Sequence, residues 1–315
     1  MKNTLATLLL GLAAAGSIAS AETLDISYVK SPFNLQMIVM KDQGLLEKEM
    51  AKQRVDIKWH EITSGSQQAQ ALASGDLDVA GVMNTASVLM ANAATNPVKI
   101  LAGVSRPTDT FAIVGAKGGP TTVAQLKGKK VAGPKGTVLH QTLVAALVKE
   151  GMTIKDIEFI QMGIPQAFAA LQSGQIDAAL LAAGAIMNAE RDGARIITTA
   201  TGLTVPTLVM ATSDNVAKQH PEWIDAVIRA HDQAARWIAD NKTQAIELGA
   251  RQQGVSIEDA TKLYDWAHFT QRLNQNDIDN MKTEMTFMLE NDLMRQPVQI
   301  ESIILPQAMQ GNRYH

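Results

Sequence analysis

Two stretches of this chain, 99 residues apart, carry the same pattern of residues. The first reads ALASGDLDVA over 71–80 and the second reads ALQSGQIDAA over 170–179, with Leu, Ser, Gly and Asp recurring in register. A repeat of this kind indicates a structural unit that occurs twice, because matching residues occupy matching positions in each copy. The chain is therefore predicted to contain two similar halves.

Matching elements flank the repeat in both copies. Residues 56–62 and 156–162 alternate in the way that is typical of strands. Each copy begins with a strand, a loop and a helix, over 24–29, 30–34 and 35–40 in the first and over 130–132, 133–137 and 139–149 in the second. Gly44 and Gly151 follow these helices, and Gly tolerates the left-handed conformation that commonly ends a helix. Each copy is predicted to form a mainly parallel sheet flanked by helices.

The segments between and after the copies give the predicted domain organisation. Residues 111–116 and 207–212 are predicted strands that cross between the halves and form a hinge. The pattern then becomes helical, with helices over 221–240, after the N-cap Ser256, and from Asn276 or Asp277 to Leu293. The predicted fold is α/β and two-lobed. Residues 22–108 with 213–315 form the first lobe, and residues 109–212 form the second.

The first 21 residues have the pattern of a secretory signal peptide. Lys2 precedes an uncharged apolar run from Leu5 to Ile18, and Ala19 and Ala21 are the small residues that a signal peptidase reads. The run is short for a membrane span, which takes about 20 apolar residues. We expect cleavage after Ala21 and export to the periplasm, with an uncleaved anchor as the alternative.

Composition and motifs argue against several function classes. The chain has no Cys, which excludes disulfides, Cys-ligated metals and thiol catalysis. Its net charge is −3 and it has no basic block, so nucleic acid is a poor partner. The sequence has no zinc-protease, nucleophile-elbow, phosphate-loop or dinucleotide motif. We predict no cofactor, no metal and no enzymatic activity, and we assign the repeated Asp78 and Asp177 a structural role.

Candidate ligand-binding residues lie in the loops that lead from strands into helices. In parallel α/β sheets, ligands bind beyond the carboxyl ends of the strands, where helix N-termini present free N–H groups and partial positive charge. The candidates in these loops are Ser31, Asn34, Ser64, Gly65, Ser66, Asn84, Thr85, Gly136, Thr137, Gly163 and Ala182. Taken singly, each loop also fits an ordinary helix cap. Together they predict one cleft that binds an oxygen-rich small molecule.

Three further candidates each have two interpretations. Phe33 is either an apolar wall of the cleft or a core residue. His140 lies in the first turn of a helix, where the helix dipole disfavours its charged form. It is either a donor in the cleft or a packed side chain. Arg106 is either the partner of an anion or a solvated surface residue.

These residues resemble the substrate-binding proteins of nitrate/sulfonate/taurine-type ABC importers. The resemblance spans nearly the whole chain after residue 21, and its most specific segments are 64–66, 71–80, 126–132, 135–140 and 177–178. It implies the type II periplasmic binding fold, in which two lobes close around a ligand. It also implies delivery of that ligand to a permease in the inner membrane, energised by a separate cytoplasmic ATPase.

One departure from the family pattern affects the expected ligand. Many relatives carry Trp and then Pro after the last strand of the second lobe, whereas residues 181–185 here have neither. A wider or reshaped pocket is therefore expected. The resemblance implies a small organic anion such as a taurine-like or alkanesulfonate molecule, with a carboxylate or a pyrimidine as the alternative. Sensing is the alternative to transport. The enzyme branch of the superfamily resembles a Cys-rich, iron-dependent protein, which this chain does not match. We expect a monomer.

Overall fold

The computed structural model describes residues 22–311. Within this range the chain forms two five-stranded sheets. The strands are β1 Glu22–Tyr28, β2 Val55–Glu61, β3 Val79–Asn84, β4 Val98–Ser105, β5 Phe111–Gly115, β6 Lys130–Gly133, β7 Glu158–Gln161, β8 Ala178–Ala182, β9 Arg195–Thr199 and β10 Leu208–Ser213. The expected signal peptide, residues 1–21, lies outside the described residues.

Helices alternate with the strands and then continue alone to the end of the described chain. They are α1 Leu35–Asp42, α2 Leu45–Ala51, α3 Gly65–Ser74, α4 Thr85–Ala93, α5 Val138–Lys149, α6 Ile164–Gln172, α7 Gly184–Arg191, α8 Asp214–Gln219, α9 Pro221–Asp240, α10 Lys242–Gln253, α11 Ile257–Ala267 and α12 Gln275–Glu290. Over residues 22–311, none of these helices has the length and apolarity needed to cross a membrane. The predicted α/β fold is confirmed.

The two sheets follow one plan. The first has the strand order β2-β1-β3-β10-β4 and the second has the order β7-β6-β8-β5-β9. The first three strands of each sheet are parallel to one another. The fourth strand, β10 or β5, runs antiparallel to both of its neighbours. The sequence repeat therefore builds two matching lobes.

The repeated aspartates hold matching backbone positions in the two lobes. Asp78 Oδ2 accepts a hydrogen bond from the N–H of Asp25 at 2.8 Å, and Asp177 Oδ2 accepts one from the N–H of Lys130 at 2.9 Å. The N–H of Asp78 donates in return to the carbonyl oxygen of Asp25, and the N–H of Asp177 donates to the carbonyl oxygen of Lys130. Asp78 thus ties the turn after α3 to β1, and Asp177 ties the turn after α6 to β6, which is the structural role predicted for them.

The structure corrects the predicted crossing strands and the boundary at 212/213. β5 lies wholly in the second sheet, and β10 pairs with β3 and β4 in the first. The lobes are joined instead by 106–110 and 200–207, which lie between the strands. The periodicity of 207–212 correctly indicates a strand, but it carries no information about which sheet the strand joins.

The C-terminal helices complete the first lobe. α9 and α10 pack against α1 and α2 on one face of the first sheet. On the opposite face, α12 packs Ile278, Met281 and Met288 against the core that includes α4. The ring of Phe287, also on α12, lies 5.5 Å from the ring of His140 on α5. Helix α12 therefore borders both lobes.

Candidate ligand-binding cleft

A cavity of about 390 Å³ lies between the two lobes. From the first lobe it is lined by Val29, Ser31, Pro32, Thr63, Gly65, Val82, Met83, Asn84, Thr85, Ala86, Ser87, Met90, Leu208 and Glu284. From the second lobe and the second connection it is lined by Phe111, Pro134, Gly136, Thr137, Val138, Leu139, Ile164, Pro206 and Thr207. The cavity lies where the strands end and the helices begin, as expected for parallel sheets.

In the first lobe, the N-termini of α3 and α4 are in direct contact. Gly65, the first residue of α3, packs against Ser87 in the first turn of α4, so closely that a Cβ at Gly65 would lie 2.3 Å from Ser87 Oγ. Asn84 caps α4, because its Oδ1 accepts the N–H of Ser87 at 2.8 Å. The glycine thus brings two positive helix ends to one wall of the cavity.

In the second lobe, the loop before α5 and the first residue of α6 complete the cavity wall. Gly136 has φ +77°, a conformation that glycine adopts without strain. The hydroxyl of Thr137 donates to the carbonyl oxygen of Pro134 at 2.8 Å, which fixes the loop. Ile164 brings the N-terminus of α6 to the cavity. Four helix N-termini, of α3, α4, α5 and α6, therefore meet there.

Several backbone N–H groups at these helix ends have no acceptor in the part of the chain that the structure describes. In residues 22–311, this holds for Gly65 and Ala86 in the first lobe and for Val138 and Leu139 in the second. All four residues line the cavity. Unpaired N–H groups at a helix N-terminus are a ready-made site for an anion.

Six of the predicted site residues line the cavity: Ser31, Gly65, Asn84, Thr85, Gly136 and Thr137. Ser64 and Ser66 lie beside it at the start of α3, where Ser64 Oγ accepts the N–H of Gln67 and lies 2.9 Å from Ser66 Oγ. The structure thus brings residues of both sequence copies to one place. Contact of any of them with a ligand stays a prediction.

Other predicted site residues lie away from the cavity wall. Phe33 is 2% exposed and packs against Gly249 of α10, so it is a core residue and forms no wall of the cavity. Asn34 is buried, and its Nδ2 donates to the carbonyl oxygens of Val29 and Ser31. Gly163 caps α6 and Ala182 ends β8, and neither lines the cavity.

Arg106 and His140 also have partners within the protein. Arg106 forms a two-pronged ion pair with Asp277, with Nε 2.6 Å from Oδ1 and Nη2 2.5 Å from Oδ2. His140 is buried and stacks on Phe159, and its Nδ1 accepts the N–H of Gly136 at 3.2 Å. Burial, with Lys135 nearby, lowers the pKa of His140. Arg106 is therefore not the partner of an anion in this cavity, and His140 supports the Gly136 loop.

Several apolar residues and one carboxyl group line the cavity without having been predicted from the sequence. Met90, Phe111 and Leu208 line the cavity from separate elements. Glu284 comes from α12, and its Oε2 accepts a hydrogen bond from Thr85 Oγ1 at 2.5 Å. The helical period of 275–290 was a usable signal for α12, but no local pattern marks which of its faces meets the cleft.

The cavity has an unusual balance of charge. Among its described lining residues, Glu284 is the only ionisable side chain, and none is Lys, Arg or His. Residues 22–311 also contain no group of three or more His, Asp or Glu side chains placed to bind a metal. Among the described lining residues, the sources of positive potential are therefore the helix ends and their backbone N–H groups.

Two matching sheets joined by two connections, with a cavity between them, define the two-lobed fold of periplasmic binding proteins. The sequence model of the family described as NMT1/THI5 like matches residues 36–245. The chain belongs to this family.

Individual binding proteins are also similar to this chain in sequence and in structure. A putative aliphatic sulfonates-binding protein of Escherichia coli is 26% identical over 264 residues, which cover 81% of each chain. The taurine-binding periplasmic protein of the same organism is 29% identical over 181 residues, or 55% of each chain. The crystal structure of the periplasmic aliphatic sulphonate binding protein SsuA from Escherichia coli superposes with a TM-score of 0.82 at 26% identity, covering 92% of this chain and 99% of that one.

The contact between α3 and α4 gives a testable expectation for stability. We expect Gly65→Ala to lower the free energy of unfolding by about 1–3 kcal/mol, the usual cost of overpacking. The reason is that the new methyl group would overlap Ser87 Oγ and Cβ, at 2.3 and 2.7 Å. Urea unfolding of the two proteins measures the difference.

Two further variants separate overlap from a general effect of alanine. Gly184→Ala is the matched control, because Gly184 begins α7 and a Cβ there meets nothing within 4 Å. Adding Ser87→Gly to Gly65→Ala should restore part of the lost stability. Equal effects of alanine at positions 65 and 184 would contradict the close approach of α3 and α4.

Proposed function

We propose that the chain is the periplasmic solute-binding component of an ABC importer and that its ligand is a small organic sulfonate. The anionic head binds at the helix N-termini in the cleft, and the organic part contacts the apolar walls. The names of the relatives, which describe sulfonate and taurine binding, support this ligand class.

The observation that carries the proposal is the set of unpaired N–H groups of Gly65, Ala86, Val138 and Leu139. They come from both lobes, so an anion bound among them connects the lobes. A sulfonate has three oxygens that accept hydrogen bonds and keeps its negative charge across the physiological pH range. Hydrogen bonds to a charged group contribute about 1.5–3 kcal/mol each, more than those to a neutral group.

The apolar part of the cavity suits an alkyl or aryl group. Met90 and Phe111 lie on its wall, together with Val82, Leu139 and Ile164. Burial of apolar surface contributes about 25 cal/mol per Å², so longer ligands gain affinity until the space is filled. Methionine adapts to ligands of different shape, which fits a range of sulfonates.

Capture requires the lobes to move relative to each other. The connections 106–110 and 200–207 are the two places where the chain passes between the sheets, and we assign the hinge to them. The closed, ligand-bound form is the one that the permease recognises, because the ligand shifts the population toward it. Binding without chemical conversion is supported by the names of the relatives, which describe binding proteins.

Ligand binding should raise thermal stability by mass action. At a sulfonate concentration of about 100 times Kd, we expect a gain of about 2.7 kcal/mol. A thermal-shift screen of the mature protein against alkanesulfonates, sulfate esters, carboxylates and pyrimidines measures it. We expect the sulfonates to give the largest rise in Tm.

The screen discriminates between the proposed ligand and its alternatives. A rise in Tm with carboxylates or pyrimidines but none with sulfonates would reject the ligand class and keep the binding role. No rise with any small molecule would contradict capture itself.

A further inference from the structure

Glu284 is placed where an anionic ligand would meet it. Its Oε2 accepts the hydroxyl of Thr85, the first residue of α4, at 2.5 Å. Its Oε1 has no hydrogen-bond partner in residues 22–311. The side chain borders the main cavity and also a second cavity of about 130 Å³ beside the 200–207 connection. One carboxyl oxygen is therefore left for a ligand, next to the positive end of α4.

No basic side chain in residues 22–311 forms an ion pair with Glu284. Within the described chain it takes part in no ion pair, and helix α4 and the segment 200–207 carry no charged residue. On its own helix, Lys282 is paired with Glu301, and Asp279 accepts a hydrogen bond from Gln275.

On the opposing lobe, His140 is the titratable residue that α5 carries near the cleft, and Lys135 lies in the exposed loop before α5. The Nδ1 of His140 is used by Gly136. Burial raises the pKa of Glu284 to about 7, against the opposing effect of the hydrogen bond from Thr85. The carboxyl group is thus held near the point at which both of its forms are populated.

An ionised carboxylate beside a bound sulfonate would place two negative charges together in a poorly solvated cleft. A like charge favours the neutral form of a carboxyl group. The neutral form also has an O–H that can donate to a sulfonate oxygen, while Thr85 continues to donate to the other carboxyl oxygen.

We propose that Glu284 binds the anionic head of the ligand as a neutral carboxylic acid, so that capture of an anion takes up one proton from solvent. This inference rests on the proposed function, since it needs an anionic ligand. The carboxylate, one proton and the sulfonate give a hydrogen-bonded acid–sulfonate pair with a net charge of −1. No covalent bond forms or breaks in the ligand.

Titration of the full mature protein with 1-butanesulfonate tests the proposal. Calorimetry at pH 6 and pH 8.5, in pairs of buffers with different ionisation enthalpies, measures Kd and the number of protons taken up. We expect uptake to approach one proton per ligand at pH 8.5 and to be small at pH 6. We expect Kd to rise about tenfold per pH unit above about pH 7, as linkage requires for one proton.

Two variants separate Glu284 from other titrating groups. Glu284→Gln keeps the size and a hydrogen-bond donor but cannot ionise, so it should lose both the proton uptake and the dependence of Kd on pH. Glu290→Gln is the matched control, because Glu290 is an exposed residue on the same helix, and it should behave as the unmodified protein does.

Three outcomes would overturn the proposal or its basis. A Kd for 1-butanesulfonate that is equal at pH 6 and 8.5, without proton uptake, would overturn the role of Glu284 and leave sulfonate binding intact. Tighter binding of taurine at pH 8.5 than at pH 6 would show that the ionised carboxylate pairs with the ammonium group, which also overturns it. No binding of 1-butanesulfonate at either pH would instead reject the proposed function for this ligand class.

Discussion

Replacing Arg106 with Met should lower the free energy of unfolding by about 3 kcal/mol, the cost of breaking a buried ion pair from one side. Asp277 is 1% exposed, so removal of the guanidinium leaves a buried carboxylate without its partner. The N–H of Asn274 still donates to Asp277 Oδ2 at 2.8 Å, which is why we place the loss at the lower end of the range. Urea unfolding at pH 7 measures it.

A double variant shows whether the unpaired charge is the cause. With Asp277→Asn added to Arg106→Met, no charge remains, and part of the stability should return. Arg106→Lys keeps the positive charge but not the two-pronged geometry. Its free energy of unfolding should therefore lie between those of the unmodified protein and of Arg106→Met. A loss of less than about 1 kcal/mol, typical of exposed pairs, would contradict burial of the pair.

Lowering the pH from 6.5 to 4 should lower the free energy of unfolding by about 3 kcal/mol because of His231. His231 lies on α9 and is fully buried, and neither ring nitrogen has a hydrogen-bond partner within the described chain. Burial lowers its pKa from 6.5 to about 4, with Arg272 acting in the same direction and Asp232 against it. As the pH falls below 6.5, the unfolded chain takes up a proton that the folded protein does not, so the unfolded state is favoured.

The variant His231→Leu isolates this effect from other acid-sensitive groups. It removes the proton uptake and both unpaired nitrogens, so its stability should fall less steeply from pH 6.5 to 4. At pH 7 we expect it to be more stable by about 1 kcal/mol, because a buried polar group without a partner is costly. Urea midpoints at pH 7, 5.5 and 4.5 give the comparison. If the urea midpoints of the two proteins fall equally with pH, His231 has the same pKa in the folded and unfolded states, which would contradict the prediction.

Features that depend on local sequence could be predicted. Gly75 and Gly174 have φ +81° and +73° in matching turns, and Ser256 caps α11 by accepting the N–H of Asp259. These outcomes follow from the conformational freedom of glycine and from the hydrogen-bonding of a short polar side chain. The two-lobed plan was predicted because a repeat in register requires matching structures.

Features that depend on distant contacts could not be predicted. Arg106 and Asp277 are 171 residues apart, so no sequence spacing links them. Phe33 follows a strand, as a cleft residue would, yet α10 covers it from the far end of the chain. Glu284 reaches the cleft only because α12 packs across the first lobe. In each case the partner comes from the C-terminal third, where the repeat gives no information.

The place of β10 between β3 and β4 has a consequence for the order in which the molecule is made. The five strands of the second sheet occupy a continuous stretch, 111–199, and are available as soon as that stretch has been synthesised. The first sheet has a gap until residue 213 has been synthesised, although four of its strands come earlier. Contacts between distant parts of a chain form slowly, and domains tend to fold as units. The middle of the polypeptide should therefore fold first. One edge each of β3 and β4 should stay unpaired until β10 has been synthesised.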